Sequence, residues 1–215
     1  MNIKKWFEPV KRLLLFAFLL RLALVLLADY HPDLINHLDW GERFWDYGPR
    51  AFYSQSIWRA SWPNQPPGTI YLFAFLMKLY QKLFSLAWWL NLKIALFPSF
   101  IFPFLEKKLP VIMVKLPFIL ADLALGWLIY QLVAKELGRQ RSARWASGLF
   151  LFNPALIYNS TIWGQTDSLI NFLALLSFWA MIKRCYFWAA FTFCLSLYFK
   201  LSLIIWAPVL VLMIL

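Results

Sequence analysis

The sequence predicts an all-α protein: a multi-pass transmembrane helical bundle with one amphipathic helix lying along the membrane surface in its first external loop. Three observations carry that expectation. The 215 residues are 62% hydrophobic and only 14% charged, whereas soluble domains sit nearer half apolar and a quarter charged. The apolar residues fall in successive runs separated by short basic clusters, which read as membrane-boundary signals. Half of the ten acidic residues crowd into residues 29–53, as Asp29, Asp33, Asp39, Glu42 and Asp46. Both histidines and several Trp and Tyr side chains suited to a membrane–water boundary are interleaved with them.

Taken in order, residues 1–12 are basic and belong on the cytoplasmic side by the positive-inside rule. Residues 13–28 form an uncleaved first span, because no small-x-small cleavage site follows them. Arg21 lies near its middle. A cation there costs about 2.5–3.5 kcal/mol on insertion scales, so Arg21 either snorkels or faces a loop carboxylate or an anionic ligand. Leu34, Leu38, Phe44 and Trp45 recur at near-helical spacing and predict a surface helix over 33–47, ended by Gly48-Pro49. Pro66-Pro67-Gly68 cannot sit inside a helix, so it makes a rigid turn into a span over 69–84 that returns to the cytoplasm. Residues 86–105, with Pro98 and Pro103, read as a broken span or a re-entrant pair.

The next span covers 117–134 and contains Asp122. Residues 135–144 are strongly basic and cytoplasmic. Residues 145–158 cross outward, 159–167 turn outside, 168–182 return, and 186–215 hold one or two further spans. Six or seven crossings place the 29–67 loop and the 159–167 turn on one outer face, within a single transmembrane domain over 1–215. The closing apolar run LIIWAPVLVLMIL reads as the interior of a longer domain, incomplete at its C-terminus. The net charge of +11 is spread between apolar runs, so it serves orientation and lipid headgroups; no nucleic-acid partner is expected. Cys185 and Cys194 read as small core residues rather than a disulfide.

The residues able to do chemistry concentrate in the two outer stretches. A carboxylate held at the membrane face can act as a general base toward a hydroxyl, or ligate a divalent cation. Asp33 and Asp39 are therefore the catalytic candidates. Asp33 comes first, since His31, His37 and Trp40 flank it and His37 is its neighbour one helical turn on. Solvated loop acids are the plainer alternative. No dense His/Cys ligand set is present, so no residue is assigned to a metal; an oxygen-rich Mg2+ or Mn2+ site stays open. The second stretch is Trp163-Gly164-Gln165-Thr166-Asp167. Gly164 permits a tight turn or close backbone approach, Gln165 and Asp167 offer the mixed donors and acceptors that sugar hydroxyls need, and Trp163 offers a face for a ring. Asp167 is also placed to cap the following helix. Lys115 suits the neutralisation of a lipid phosphate, while Asp122 and Lys200 suit holding helices together. There is no phosphate-cradling glycine loop, no Ser-His-Asp spacing and no HExxH helix, which argues against ATP-driven pumps, serine hydrolases and zinc proteases.

An arginine in the first span, an acidic loop of the form D…H..WG…….G…FY and a Pro-Pro-Gly turn resemble the GT-C superfamily of multi-span glycosyltransferases. KLPFILADL (115–123) and FNPALIYNSTIWGQTDSL (152–169) resemble bacterial and archaeal mannosyltransferases related to the second GPI mannosyltransferase, PIG-V. The resemblance implies a polyprenyl-phosphate sugar donor, a lipid, glycan or protein hydroxyl as acceptor, and inverting transfer at the non-cytoplasmic face of the cell membrane. It implies Asp33 as the base, with Asp39 as the fallback. His37, Trp40, Arg21, Lys115, Trp163, Gln165 and Asp167 then become substrate-binding candidates. A transporter or flippase, or a non-catalytic membrane subunit, is the competing class.

Overall fold

The protein was analysed as a computed structural model, which describes residues 4–27 and 31–213, with side chains from Val10 onward. Asp29, the first acid of the cluster, lies outside the described residues. The described residues are helical with no strand, as expected. The long elements are α1 (Lys4–Leu27), α2 (Pro32–Ala51) and α3 (Pro67–Lys93). A short α4 (Phe102–Lys107) leads into α5 (Leu109–Glu136). They are followed by α6 (Gln140–Leu151), α7 (Pro154–Ile157), α8 (Asp167–Ile182), α9 (Tyr186–Phe199) and α10 (Ala207–Leu212).

The bundle is built on α5. Arg21 of α1 pairs with Asp122 of α5 at 3.0 Å, both fully buried. Val10 packs with Tyr130 and Ala134. These contacts make α1 and α5 antiparallel. From α5 onward the helices alternate, and ion pairs tie both ends. Lys183 meets Glu136 at 2.7 Å at one end, and Lys200 meets Asp167 at 2.5 Å at the other. The basic N-terminal helix end and the 135–144 cluster thus share one end of the bundle. The C-terminal end of α1, α2 and the 158–167 turn share the opposite end.

The surface helix forms for the reason its pattern gives. Leu34, His37, Trp40, Gly41 and Phe44 are its buried face, at the i, i+3, i+4 spacing of one helical stripe. Leu34, Trp40 and Phe44 share one cluster with Phe73, Ala74 and Met77 of α3 and with Val114 and Phe118 of α5. Gly41 allows the close approach, since a Cβ there would lie 2.6 Å from Met77 Cγ and 2.7 Å from Phe73 O. The helix breaks at Gly48, whose φ is 72°, in keeping with the Gly48-Pro49 signal. A 90° bend separates it from α1.

Three expectations are corrected. The helix after the Pro-Pro-Gly turn does not end at residue 84 but runs to Lys93, because no breaker occurs before Pro98. Phe73 meets Phe118, while Phe84 and Trp88 meet Phe102. So α3 folds back on the 102–118 segment as a hairpin, and 86–105 is neither a separate span nor a re-entrant pair. Second, six or seven crossings are not matched by helix length. Among the described residues, α3 and α5 are long and apolar enough to cross a membrane, and a third candidate exists if α1 and α2 count as one bent span. Helices α6, α8 and α9, of 12, 16 and 14 residues, reach only about 18, 24 and 21 Å at 1.5 Å per residue, short of an apolar core of about 30 Å. Third, Cys185 and Cys194 are free but exposed rather than in a core.

The Arg21–Asp122 pair yields a prediction. Removing one member leaves a buried charge uncompensated, which costs about 3–5 kcal/mol. Asp122→Ala should lower the midpoint of thermal unfolding in detergent sharply. The double change Arg21→Met with Asp122→Leu should recover much of the loss.

Candidate functional site

The site forms where the two polar stretches meet. Residues 158–163 make one turn of π-helix, and Gly164 follows in the left-handed conformation at φ 79°. The amides of Gly164 and Gln165 both donate to Asn159 O, at 2.8 and 3.1 Å. This reversal sends the side chains on either side of Gly164 to one acceptor. Trp163 Nε1 donates to Asp33 Oδ2 at 2.6 Å, and Gln165 Nε2 donates to the same oxygen at 2.9 Å. Asp33 stands in the first turn of α2, where the helix dipole favours a negative charge. His31 caps that helix by accepting the Asp33 amide at Nδ1, at 3.2 Å. The His31 ring lies 5.2 Å from that of Trp163. The Asp33 carboxylate remains 41% exposed, so it is held but reachable, and Oδ1 stands outside this pair of bonds.

Lys115 lies beneath the turn. Its side chain is fully buried, and among the described residues its ammonium has no hydrogen-bond partner. A Cβ on Gly164 would stand 3.3 Å from both Cγ and Cε of Lys115. Gly164 is therefore required twice, for its φ and for the passage of the lysine stem. A buried cation without a counterion is costly; an anion entering here would relieve that cost.

Further polar contacts complete this end of the bundle. Lys200 reaches Asp167 Oδ1, while Asn159 Nδ2 donates to Asp167 Oδ2 at 3.3 Å. Asp167 is the first residue of α8, and the N-cap position falls on Thr166. Thr69 Oγ1 donates to Phe199 O at 2.6 Å, which fastens the Pro-Pro-Gly turn to the end of α9 just before Lys200. His37 stacks on Phe73 with ring centroids 4.5 Å apart and is almost fully buried.

Other candidates are placed differently. Both oxygens of Asp39 are occupied: Oδ1 by Arg43 Nε at 2.7 Å and Arg59 Nε at 3.4 Å, Oδ2 by the Arg59 amide at 2.9 Å. Asp39 thereby braces the 55–66 strap onto α2. Trp40 is 2% exposed and donates to Ser61 O at 3.0 Å, anchoring the same strap. Arg21 closes on Asp122 of α5 rather than on a loop acid. Asp122 pairs with Arg21 of α1, and Lys200 with Asp167 at the start of α8. Among the described residues no group of three or more His, Cys, Asp or Glu converges; His31 and Asp33 are the nearest donors for a divalent cation. Arg43 and Arg59 were not singled out from the sequence, and Asn159 only as part of the outer turn. The i, i+4 spacing of Asp39 and Arg43 was the one available signal.

The family and the relatives that this helical membrane bundle matches place it in a GT-C-like class. The chain belongs to the family described as GPI transamidase subunit PIG-U, which matches residues 51–215. It is also similar to GPI mannosyltransferase 1 of Gibberella zeae, 35% identical over 97 residues, 45% of this chain and 23% of that protein. GPI mannosyltransferase 1 of Trypanosoma brucei brucei is 37% identical over 94 residues, 43% of this chain and 21% of that protein. The matched stretches span less than a quarter of these relatives. Both carry the name of the first GPI mannosyltransferase, where the sequence resemblance pointed to relatives of the second. No solved structure matches.

Burial pushes the His37 imidazole down from its ordinary 6.5 to about 4, against an opposing pull from Asp33 and with help from Lys200 and His31. His37 lies on the amphipathic α2, apart from the two helices that are each long and apolar enough to cross a membrane, so its titration can be followed. Between pH 6.5 and 4 the unfolded chain binds a proton at His37 and the folded chain does not. Stability should therefore fall as pH drops through that window, by roughly 3 kcal/mol over its whole width. Melting in detergent across pH 4–8 should show this slope, and His37→Phe should flatten it.

Proposed function

We propose that this chain carries the catalytic end of an inverting membrane glycosyltransferase. It moves a hexose, mannose by family likeness, from a polyprenyl-phosphate sugar to a hydroxyl acceptor at the non-cytoplasmic face of the cell membrane, with the N-terminus in the cytoplasm. The observation that supports this most is the clasp on Asp33 by Trp163 and Gln165. Two donors on Oδ2 fix the carboxylate in place and leave Oδ1 free to accept. In the proposed step Asp33 takes the proton of the acceptor hydroxyl. That oxygen bonds to the anomeric carbon from the face opposite the phosphate. The bond from the anomeric carbon to the phosphate oxygen breaks, and its electron pair leaves with the polyprenyl phosphate. Lys115, a buried ammonium without a partner, offsets the charge gathering on the phosphate. Trp163, Gln165 and Asp167 line the sugar's path, and His37 stays neutral at physiological pH. Asp39 braces the strap and is the weaker choice of base. A divalent cation at Asp33 and His31 is the alternative way to balance the phosphate.

A second reading is favoured by the family's own description. A GPI transamidase subunit need not transfer sugar, so the same site would hold a glycolipid in a non-catalytic membrane subunit. Membranes carrying the protein, given a polyprenyl phosphate bearing labelled hexose, separate the two. General-base removal costs about 10²–10⁴-fold, so Asp33→Asn, which keeps an oxygen for Trp163 and Gln165, should cut transfer at least a hundredfold with expression unchanged. Lys115→Met should raise the donor KM. Transfer that is unaltered in Asp33→Asn, or absent in the unmodified protein, would sink the transferase reading in favour of the subunit.

A further inference from the structure

Beside the 163–167 turn lies an amphipathic groove between α5, α6, α7, the 158–163 turn, α8 and the 201–206 segment. Its polar end has a volume of about 400 Å3 and is lined by Asp122, Asn159, Asp167, Ser168 and Ser202 among others. Its apolar end, of about 300 Å3, is lined by Ile129, Ala174, Leu175, Phe178 and Trp206. Leu125, Phe150, Asn171 and Leu203 belong to both linings, so the two ends form one slot. Each end is large enough for part of a small ligand, since ligand cavities run from about 300 to 1,000 Å3.

The chemistry of the two ends differs in a way that selects an occupant. The polar end is rich in acceptors. Asp122 Oδ1 and Asn159 Oδ1 are buried and without a hydrogen-bond partner among the described residues. Its two carboxylates are already matched, Asp122 by Arg21 and Asp167 by Lys200, and no lysine or arginine lines it. An anionic headgroup would face two lining carboxylates with no lining cation beside them, and an apolar one would leave the acceptors unpaired. A headgroup bearing hydroxyls supplies the missing donors. The apolar end descends along α8 from Asp167 to Phe178, about 16 Å at helical rise, and fits a hydrocarbon chain. We propose that this groove binds a single lipid with an uncharged, hydroxyl-rich headgroup, its head against Asp167, Asn171 and Ser202 and one chain along Ala174, Phe178 and Trp206. Binding stands on the groove alone. Its assignment to the acceptor rests on the transferase reading, with the phosphate of the donor at Lys115.

The test uses the whole chain in nanodiscs and three photoreactive probes sharing one diazirine-bearing chain: monoglucosyl diacylglycerol, diacylglycerol and phosphatidic acid. The glucolipid should label the peptides containing Ala174–Phe178 and 201–206 at least tenfold more than either other probe, and unlabelled glucolipid should compete. Labelling at the exposed Phe187 and Phe191 should be equal for all three and serves as the internal standard. Ala174→Phe should reduce groove labelling about tenfold. Asn171→Leu, at the polar end, should erase the preference for the sugar while leaving labelling by the chain. Equal labelling by all three probes, or stronger labelling by phosphatidic acid, would overturn the groove. Run beside the hexose-transfer assay, the two proposals fail separately. Sugar-dependent labelling with unaltered transfer in Asp33→Asn removes the transferase and keeps the groove. Lost transfer without sugar-dependent labelling does the reverse.

Discussion

Two hydrogen bonds on one oxygen organise this protein. Asp33 Oδ2 accepts from Trp163 and Gln165, joining the start of α2 to a turn 130 positions later in the chain. That junction requires a π-turn, a left-handed glycine and a helix N-terminus to arrive at the same end of the bundle. The antiparallel pair α1–α5 and the alternation of α5, α6, α8 and α9 bring them there. An acid so held is oriented and still 41% exposed, which is the condition a base at a membrane surface needs.

The remaining charges divide by whether they are matched. Arg21 and Asp122, Lys183 and Glu136, and Lys200 and Asp167 are ion pairs that tie helices, one in the interior and one at each end. Asp39 is saturated by Arg43 and Arg59 and serves the strap. Lys115 alone among the candidates named from the sequence is a buried cation without a partner, and it lies under Gly164 beside the Asp33 clasp. The proposed role of Lys115 toward a phosphate rests on this contrast with the matched pairs. The amphipathic groove adds a second, uncharged place next to it. Under the proposals above, the two places would take lipids with different heads.

Much of this was legible in the residues. The surface helix, its end at Gly48-Pro49 and the pairing of the acidic loop with the 159–167 turn follow from apolar spacing, a breaker dipeptide and the sharing of one face. The partner of Arg21 was not legible, because α5 meets α1 through packing between residues 101 positions apart and a single sequence carries no record of it. The length of α3 was misread because Lys78 and Lys82 look like a membrane boundary; both are exposed on a helix that simply continues. The groove was invisible for a related reason. Its lining comes from six segments, and apart from Asp122 and Asp167 its residues are ordinary where they stand.

The central claim is that the early acid and the late turn touch in the folded protein. Cysteine crosslinking in native membranes tests it most directly, with Asp33→Cys and Gln165→Cys placed together in a chain whose Cys185 and Cys194 are replaced by serine. The account predicts rapid crosslinking by a short bifunctional reagent, with little from Asp46→Cys paired with Gln165→Cys. Failure of the first pair to crosslink in correctly inserted protein, or equal crosslinking by both pairs, would contradict it.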